Sequence, residues 1–168
     1  MAGRSSVERG VVSDRPPVVS NASPLIALNQ IERLALLELL FGDVLVPPAV
    51  TAECQSIVAF PDWVRERPLG QPIGPRLLKL TLGLGESEAI SLAIERNAQR
   101  VLLDERRARQ SARALGLRPL GTLGILLAAK RRGHLSEIRP CLSQLAEHGF
   151  RVSPQLRAEV LLSAGELP

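Results

Sequence analysis

Val18-Val19-Ser20-Asn21-Ala22-Ser23-Pro24-Leu25-Ile26-Ala27-Leu28 sets a short apolar run against a polar turn and then a helical stretch. A run as short as Val18 to Ser20, bounded by a turn, reads as a buried strand. Ser23 is placed as the N-cap of the helix, with Pro24 at its first position, where a missing N–H costs little. The same unit recurs outward along the chain. Val44 to Val46 is a strand, and Pro47-Pro48 opens a helix that the pattern carries to Phe60. Arg100 to Leu103 is a strand before an arginine-rich helix, Glu105 to Leu115, ended by Gly116. Pro119-Leu120 is a very short strand before the helix Thr122 to Arg132. Further helices are expected over Leu34–Phe41, Gly85–Asn97, Ile138–Glu147 and Pro154–Ser163, with a strand at Phe150–Val152. Short strands alternating with helices predict an α/β fold, a three-layer α/β/α sandwich around a short-stranded, mainly parallel sheet.

A chain of 168 residues fits one domain and can bury about 68–70% of its unfolded surface. Residues 1–17 are polar and proline-closed, so they are expected to be a flexible leader before a domain over residues 18–165. The segment Pro61 to Gly83 is rich in proline and glycine, with a short amphipathic piece around Leu77 to Leu82. The opening MAGRSSVERG lacks the apolar run of a secretory signal. The most apolar stretch, Leu120 to Ala129, is about half the length a membrane span needs. Cys54 and Cys141 form no framework, which fits reduced thiols in a soluble, cytoplasmic protein.

Lys plus Arg number 21 against 17 Asp plus Glu, a net charge of +4. That balance suits an anionic partner but is a weak signal alone. The aromatics are only Phe41, Phe60, Trp63 and Phe150, too few for an aromatic platform that stacks a run of bases.

In an open parallel sheet, ligands bind beyond the carboxyl ends of the strands. Asn21, with Ser23 beside it, follows the first strand; Asp104 and Glu105 follow Leu102-Leu103; Gly121-Thr122 follow Leu120. Glu53 shares a helical stripe with Val50, Cys54 and Ile57, where a carboxylate needs a partner or a cation. Glu86 stands in the first turn of its helix, on one face with Ile90 and Ala93. Plainer readings stand beside these: Asn21 as a turn residue, Asp104 as an N-cap, and Glu86 as a complement to a helix dipole. Arg106, Arg109 and Arg113 share a face beyond Asp104, suited either to flanking phosphates or to simple solvation. Cys54 and Cys141 read as core, and His134 and His148, beside glycines at helix ends, as capping residues. Gly83-Leu84-Gly85 lacks the lysine and strand of a phosphate loop.

Five blocks together resemble one family, the PIN-like domains. They are the Val18–Leu28 opening; Val44-Leu45-Val46-Pro47-Pro48-Ala49-Val50 through Glu53; Leu84-Gly85-Glu86-Ser87-Glu88-Ala89-Ile90; Leu102-Leu103-Asp104-Glu105 with Arg109; and Gly121-Thr122-Leu123-Gly124 continuing to Ala129-Lys130. The similarity runs in order from about Val18 to Gly165, toward an uncharacterised bacterial and archaeal branch related to VapC-type toxins. It implies a nuclease whose acids hold one or two Mg²⁺ or Mn²⁺ ions. Carried over by position, the metal ligands are Asn21, Glu53, Glu86, Asp104 and Glu105, the catalytic acids Glu53, Glu86 and Asp104, and the supporting hydroxyls Ser23 and Thr122. Arg106, Arg109 and Arg113 are the candidates for nucleic acid, on their shared helical face rather than on the resemblance. The implied partners are RNA, an antitoxin protein and a second copy of the chain.

The carry-over agrees with the chemistry of the residues. Clustered carboxylates repel unless a divalent cation joins them, and hard oxygen donors select Mg²⁺ or Mn²⁺. Asn21 departs from the aspartate of most active members: its amide oxygen can ligate but brings no charge. The leading expectation is therefore a metal-dependent endoribonuclease, plausible as the toxin of a toxin–antitoxin pair. The alternative is a catalytically weak or inactive PIN-like module that binds nucleic acid or a protein. A phosphatase of the haloacid-dehalogenase kind ranks third, since it needs a nucleophilic aspartate where Asn21 stands.

Overall fold

The structure, a computed structural model, describes residues 16–71, 74 and 81–167. Its elements are β1 (Val18–Ser20), α1 (Ala22–Gln30), α2 (Leu36–Phe41), β2 (Val44–Val46), α3 (Pro48–Cys54) and β3 (Val64–Glu66). They continue as α4 (Leu84–Glu95), β4 (Arg100–Leu102), α5 (Arg106–Ala114), β5 (Pro119–Leu120), α6 (Thr122–Arg131), α7 (Arg139–Glu147) and α8 (Pro154–Ser163).

All five strands are parallel, in the order β3-β2-β1-β4-β5. Alternation along such short strands feeds two cores. Val18, Val44, Val46, Val64 and Leu102 turn to one face, against α1, α2, α3, α6, α7 and α8. Val19, Val101 and Leu103 turn to the other, against α4 and α5. Helices on both faces make the expected three layers. Each fully buried Leu, Ile or Val contributes about 1.5–3 kcal/mol by leaving water, and Leu25, Leu28, Ile90, Leu126 and Leu142 are among them.

The chain lays β1, β2 and β3 side by side and then returns to place β4 on the far side of β1. This reversal opens a crevice beyond the carboxyl ends of β1 and β4, where open α/β sheets bind ligands. The backbone N–H of Asn21 donates to Leu102 O at 3.0 Å and seals the two strand ends together. At the other end of the molecule, the Glu166 carboxylate takes Lys130 Nζ at 2.7 Å and the N–H groups of Ile138 and Arg139 at 2.7 and 3.1 Å. The stretch after α8 is thereby latched to α6 and to the exposed donors at the start of α7.

Several local expectations give way. The first helix begins at Ala22 with Asn21 as its N-cap, so Ser23 lies inside the first turn and exposed. The helix from Pro48 ends at Cys54 rather than Phe60. Ile57 is thus off the helix and 49% exposed, and the stripe expected to carry Glu53 inward is broken. Glu105, not Asp104, is the N-cap of α5. Val64–Glu66 is a strand, not anticipated, inside the proline- and glycine-rich Pro61–Gly83 segment; its polar Arg65 and Glu66 are exposed at the sheet edge, which hides the apolar signal. Phe150 to Val152 is not a strand: the Phe-Arg-Val alternation imitates one, but the backbone runs as an irregular connection into α8. The leader expected over residues 1–17 lies outside the described residues except for its last two, as do residues 77–80 of the amphipathic piece.

Candidate active site

Asn21 caps β1 at the crevice and is only 4% exposed. Its Oδ1 is buried without a hydrogen-bond partner, as is one other side-chain oxygen among the described residues, Thr51 Oγ1. The reason for its orientation is visible in α4. A Cβ built on Gly85 would collide with the Glu53 carboxylate and stand 2.9 Å from Asn21 Oδ1. Two acceptors therefore face the same small space, kept open because residue 85 has no side chain. Asn21 Oδ1 has no donor of its own, and an acceptor facing a carboxylate is an arrangement that a hard cation relieves.

Glu53, in the last turn of α3, is exposed along its stem, yet its carboxyl leans into this space. Desolvation raises its pKa; the backbone N–H of Gly85 lowers it, and the charge of Glu88 raises it again. Cys54 beside it is fully buried, and burial, then the Glu53 charge, push its thiol up to about 11. Such a thiol is inert packing, not a nucleophile.

Glu86, in the first turn of α4, reaches back so that its Oε2 accepts the Gly83 N–H at 2.7 Å. Burial raises its pKa most, followed by the Glu105 carboxyl in hydrogen-bonding contact; Gly83 opposes, and the charges of Glu105 and Glu53 add. Glu86 thus stands in the first turn as the dipole reading had it and takes the N-cap N–H besides, as in a capping box, and both coexist with its contact to Glu105.

Asp104 lies just past β4. Thr122 holds both of its oxygens, the backbone N–H giving Oδ1 a bond of 2.7 Å and the hydroxyl giving Oδ2 one of 2.8 Å. Gly121 makes this possible, since a Cβ there would stand 3.0 Å from Asp104 Oδ1. Burial raises the Asp104 pKa, while the two Thr122 bonds and the Arg109 charge lower it. Arg109 turns back to donate to the Asp104 backbone carbonyl. Arg106 and Arg113 remain exposed on α5.

Asn21, Glu53, Glu86, Asp104 and Glu105 thus sit around the carboxyl end of the sheet, and Thr122 joins them. Ser23 is exposed in the first turn of α1, and among the described residues no hydrogen bond links it to these acids. Among the described residues, no three His, Cys, Asp or Glu side chains close into a ready cage for an ion. The group consists of the Asn21–Glu53 pair, the Glu86–Glu105 pair and Asp104 on Thr122, with the first two pairs coupled by the charges of Glu53 and Glu86. Sequence reasoning passed over Glu88. Its Oε2 accepts the Ala49 N–H at 2.9 Å, binding the start of α3 to α4. The position within Gly85-Glu86-Ser87-Glu88 was the available signal.

The five-stranded parallel sheet covered by helices on both faces defines a three-layer α/β protein. The chain belongs to the PIN domain family, whose model matches residues 17–166. No curated protein and no solved structure matches the chain. PIN domains are generally nucleases that use divalent metals. No helix among the described residues is long and apolar enough to cross a membrane.

Proposed function

We propose that the chain is a divalent-metal-dependent endoribonuclease whose centre is built from Asn21, Glu53, Glu86, Asp104 and Glu105. One observation carries the reading: the buried, unpartnered Asn21 Oδ1 facing the Glu53 carboxylate across the space left by Gly85. That donor set fits a hard ion, Mg²⁺ or Mn²⁺. Bound there, such an ion would activate water for attack on phosphorus and stabilise the leaving oxygen.

The chain's own residues supply orientation. Thr122 fixes both oxygens of Asp104, and Arg109 locks the backbone behind it. Burial raises the Glu53, Glu86 and Asp104 pKa values, with repulsion from Glu88 adding at Glu53 and from Glu105 and Glu53 at Glu86, so these groups gain by facing a cation. Arg106 and Arg113, exposed on α5, offer guanidinium groups to backbone phosphates. The working unit is residues 18–165, with the preceding residues as a leader. A role as the toxin of a toxin–antitoxin pair, pairing as a homodimer in the cytoplasm, belongs to the same proposal.

The second reading, a PIN module that binds RNA or protein without cutting, is favoured by Asn21, which brings an amide where a charge would strengthen metal binding. Calorimetric titration with Mn²⁺ and Mg²⁺, run with a pooled-RNA cleavage assay, separates the two. The nuclease reading requires binding and cleavage by the parent, both lost in Glu53→Gln and Asp104→Asn. A parent that takes up no metal at millimolar concentration and leaves RNA intact belongs to the second class.

A further inference from the structure

A groove of about 410 Å³ runs from Asp104 and Gly121 along α5, α6 and α8. Its volume lies within the ~300–1,000 Å³ range of small-molecule sites. Its floor is apolar, made by Leu123 and Leu127 of α6 with Phe150. Its rim is cationic, with Arg109 and Arg113 from one wall and Arg151 from the other. Arg109 is engaged by the Asp104 carbonyl. Among the described residues, neither Arg113 nor Arg151 lies within ion-pair distance of a carboxylate, and both are exposed.

We propose that this groove is a subsite for a single nucleotide, its base laid on the Phe150 and leucine floor and its phosphate on Arg113 and Arg151. The inference rests on the nuclease reading and extends it from the acids to the substrate. Three features choose a nucleotide over a bare anion or an apolar peptide. Unpaired guanidinium groups call for phosphate, to which they bond bidentately. An apolar floor with one aromatic ring calls for the face of a ring, and every base has one. The groove also opens onto Asp104, so a nucleotide seated there would present an adjoining phosphodiester to the acids. A single ring accommodates one base, so the site takes an unstacked nucleotide rather than a run of bases. The Phe150–Arg151 connection gains a purpose here, because as irregular chain it can turn an aromatic and a cationic side chain into the same groove.

Binding without cleavage tests the idea. The full chain is titrated in EDTA, by NMR line broadening, with each of the four nucleoside 5′-monophosphates, with inorganic phosphate and with uridine. The expected result is saturable nucleotide binding, with phosphate alone and uridine alone each at least about tenfold weaker. Arg113→Gln and Arg151→Gln should each weaken nucleotide binding by about tenfold, the loss expected for one charge-assisted contact. Circular dichroism confirms that these surface variants fold. Equal binding of phosphate and nucleotide would overturn the proposal, since the floor would then be idle. Failure of all nucleotides to bind a parent that still cleaves RNA also overturns it, leaving the nuclease reading intact. Failure of binding together with failure of cleavage and metal uptake removes both.

Discussion

The Glu88 carboxylate accepts the backbone N–H of Ala49 at 2.9 Å, joining positions 39 residues apart in sequence. Ala49 is in the first turn of α3, where backbone donors have no partner inside the helix and the dipole favours a negative charge. The bond clamps α3 onto α4, and α3 carries Glu53 while α4 carries Gly85 and Glu86. Glu88→Gln keeps the shape and a weaker acceptor but removes the charge. Mn²⁺ affinity should fall by about tenfold, as is usual when a supporting partner of a ligand is lost. Glu53 should also titrate at lower pH, because a repelling charge has gone. Calorimetry at several pH values checks both, and a merely structural Glu88 would lower the melting temperature without moving the pH profile.

Gly85→Ala separates the site from the fold. An alanine gains about 0.5–1 kcal/mol of helix preference over glycine. Its methyl group enters the space between Glu53 and Asn21 Oδ1, a clash of the kind that costs about 1–3 kcal/mol when neighbours cannot yield. The melting temperature should therefore fall modestly while Mn²⁺ uptake is lost. Retained uptake would mean that the ion sits elsewhere.

Thr122→Val removes the hydroxyl from a fully buried position but keeps the volume. Asp104 Oδ2 loses its donor, at a cost of about 1–3 kcal/mol. Because Thr122 lowers the Asp104 pKa, the variant's carboxyl should titrate higher, and half-maximal Mn²⁺ binding should move to higher pH. An unmoved pH profile would assign Thr122 to packing alone.

Two sets of acids pull stability in opposite directions with pH. Glu53, Glu86 and Asp104 have raised folded-state pKa values, so folding favours their protonated forms. Their penalty is full at neutral pH and is relieved as pH falls through the raised values toward the ordinary 4.5 and 3.8. Glu166 runs the other way. Burial raises it, but Lys130 and the Ile138 and Arg139 N–H groups outweigh that, so its stabilisation holds above 4.5 and is lost as pH falls through the lowered value. Metal-free protein should melt higher on mild acidification from neutral and lower on strong acidification. Glu166→Gln should flatten part of the acid-side fall, and saturating Mn²⁺ should weaken the mild-acid gain. Calorimetric melting in EDTA and in Mn²⁺ reads each effect.

How far the sequence reveals this molecule follows from where each signal is local. β1, β2 and β5 are legible because a short apolar run between turn residues leaves few alternatives. Asn21 and Asp104 are legible because a polar residue directly after a parallel strand has a known place in the fold. Val64–Glu66 escapes because an edge strand can expose its polar residues, and Phe150–Val152 deceives because alternation alone cannot specify a pairing partner. The end of α3 at Cys54 has no breaker residue to mark it: Gln55-Ser56-Ile57-Val58 turns there with the Ile57 and Val58 N–H groups both donating to Cys54 O. Glu88 is the least legible of all. Its partner is a backbone N–H on another helix, and nothing in a linear pattern records that meeting.

The strand order has a consequence for synthesis. β1, β2 and β3 are neighbours in both sequence and space, whereas β4 must come back to lie against β1. Asn21 and Glu53 leave the ribosome early, and Asp104 with its Thr122 anchor follows much later, at a rate of about 5–20 residues per second. An unfinished chain therefore holds only one bank of the crevice. Asn21 and Glu53 meet Asp104 across the crevice only once the second half of the chain has docked.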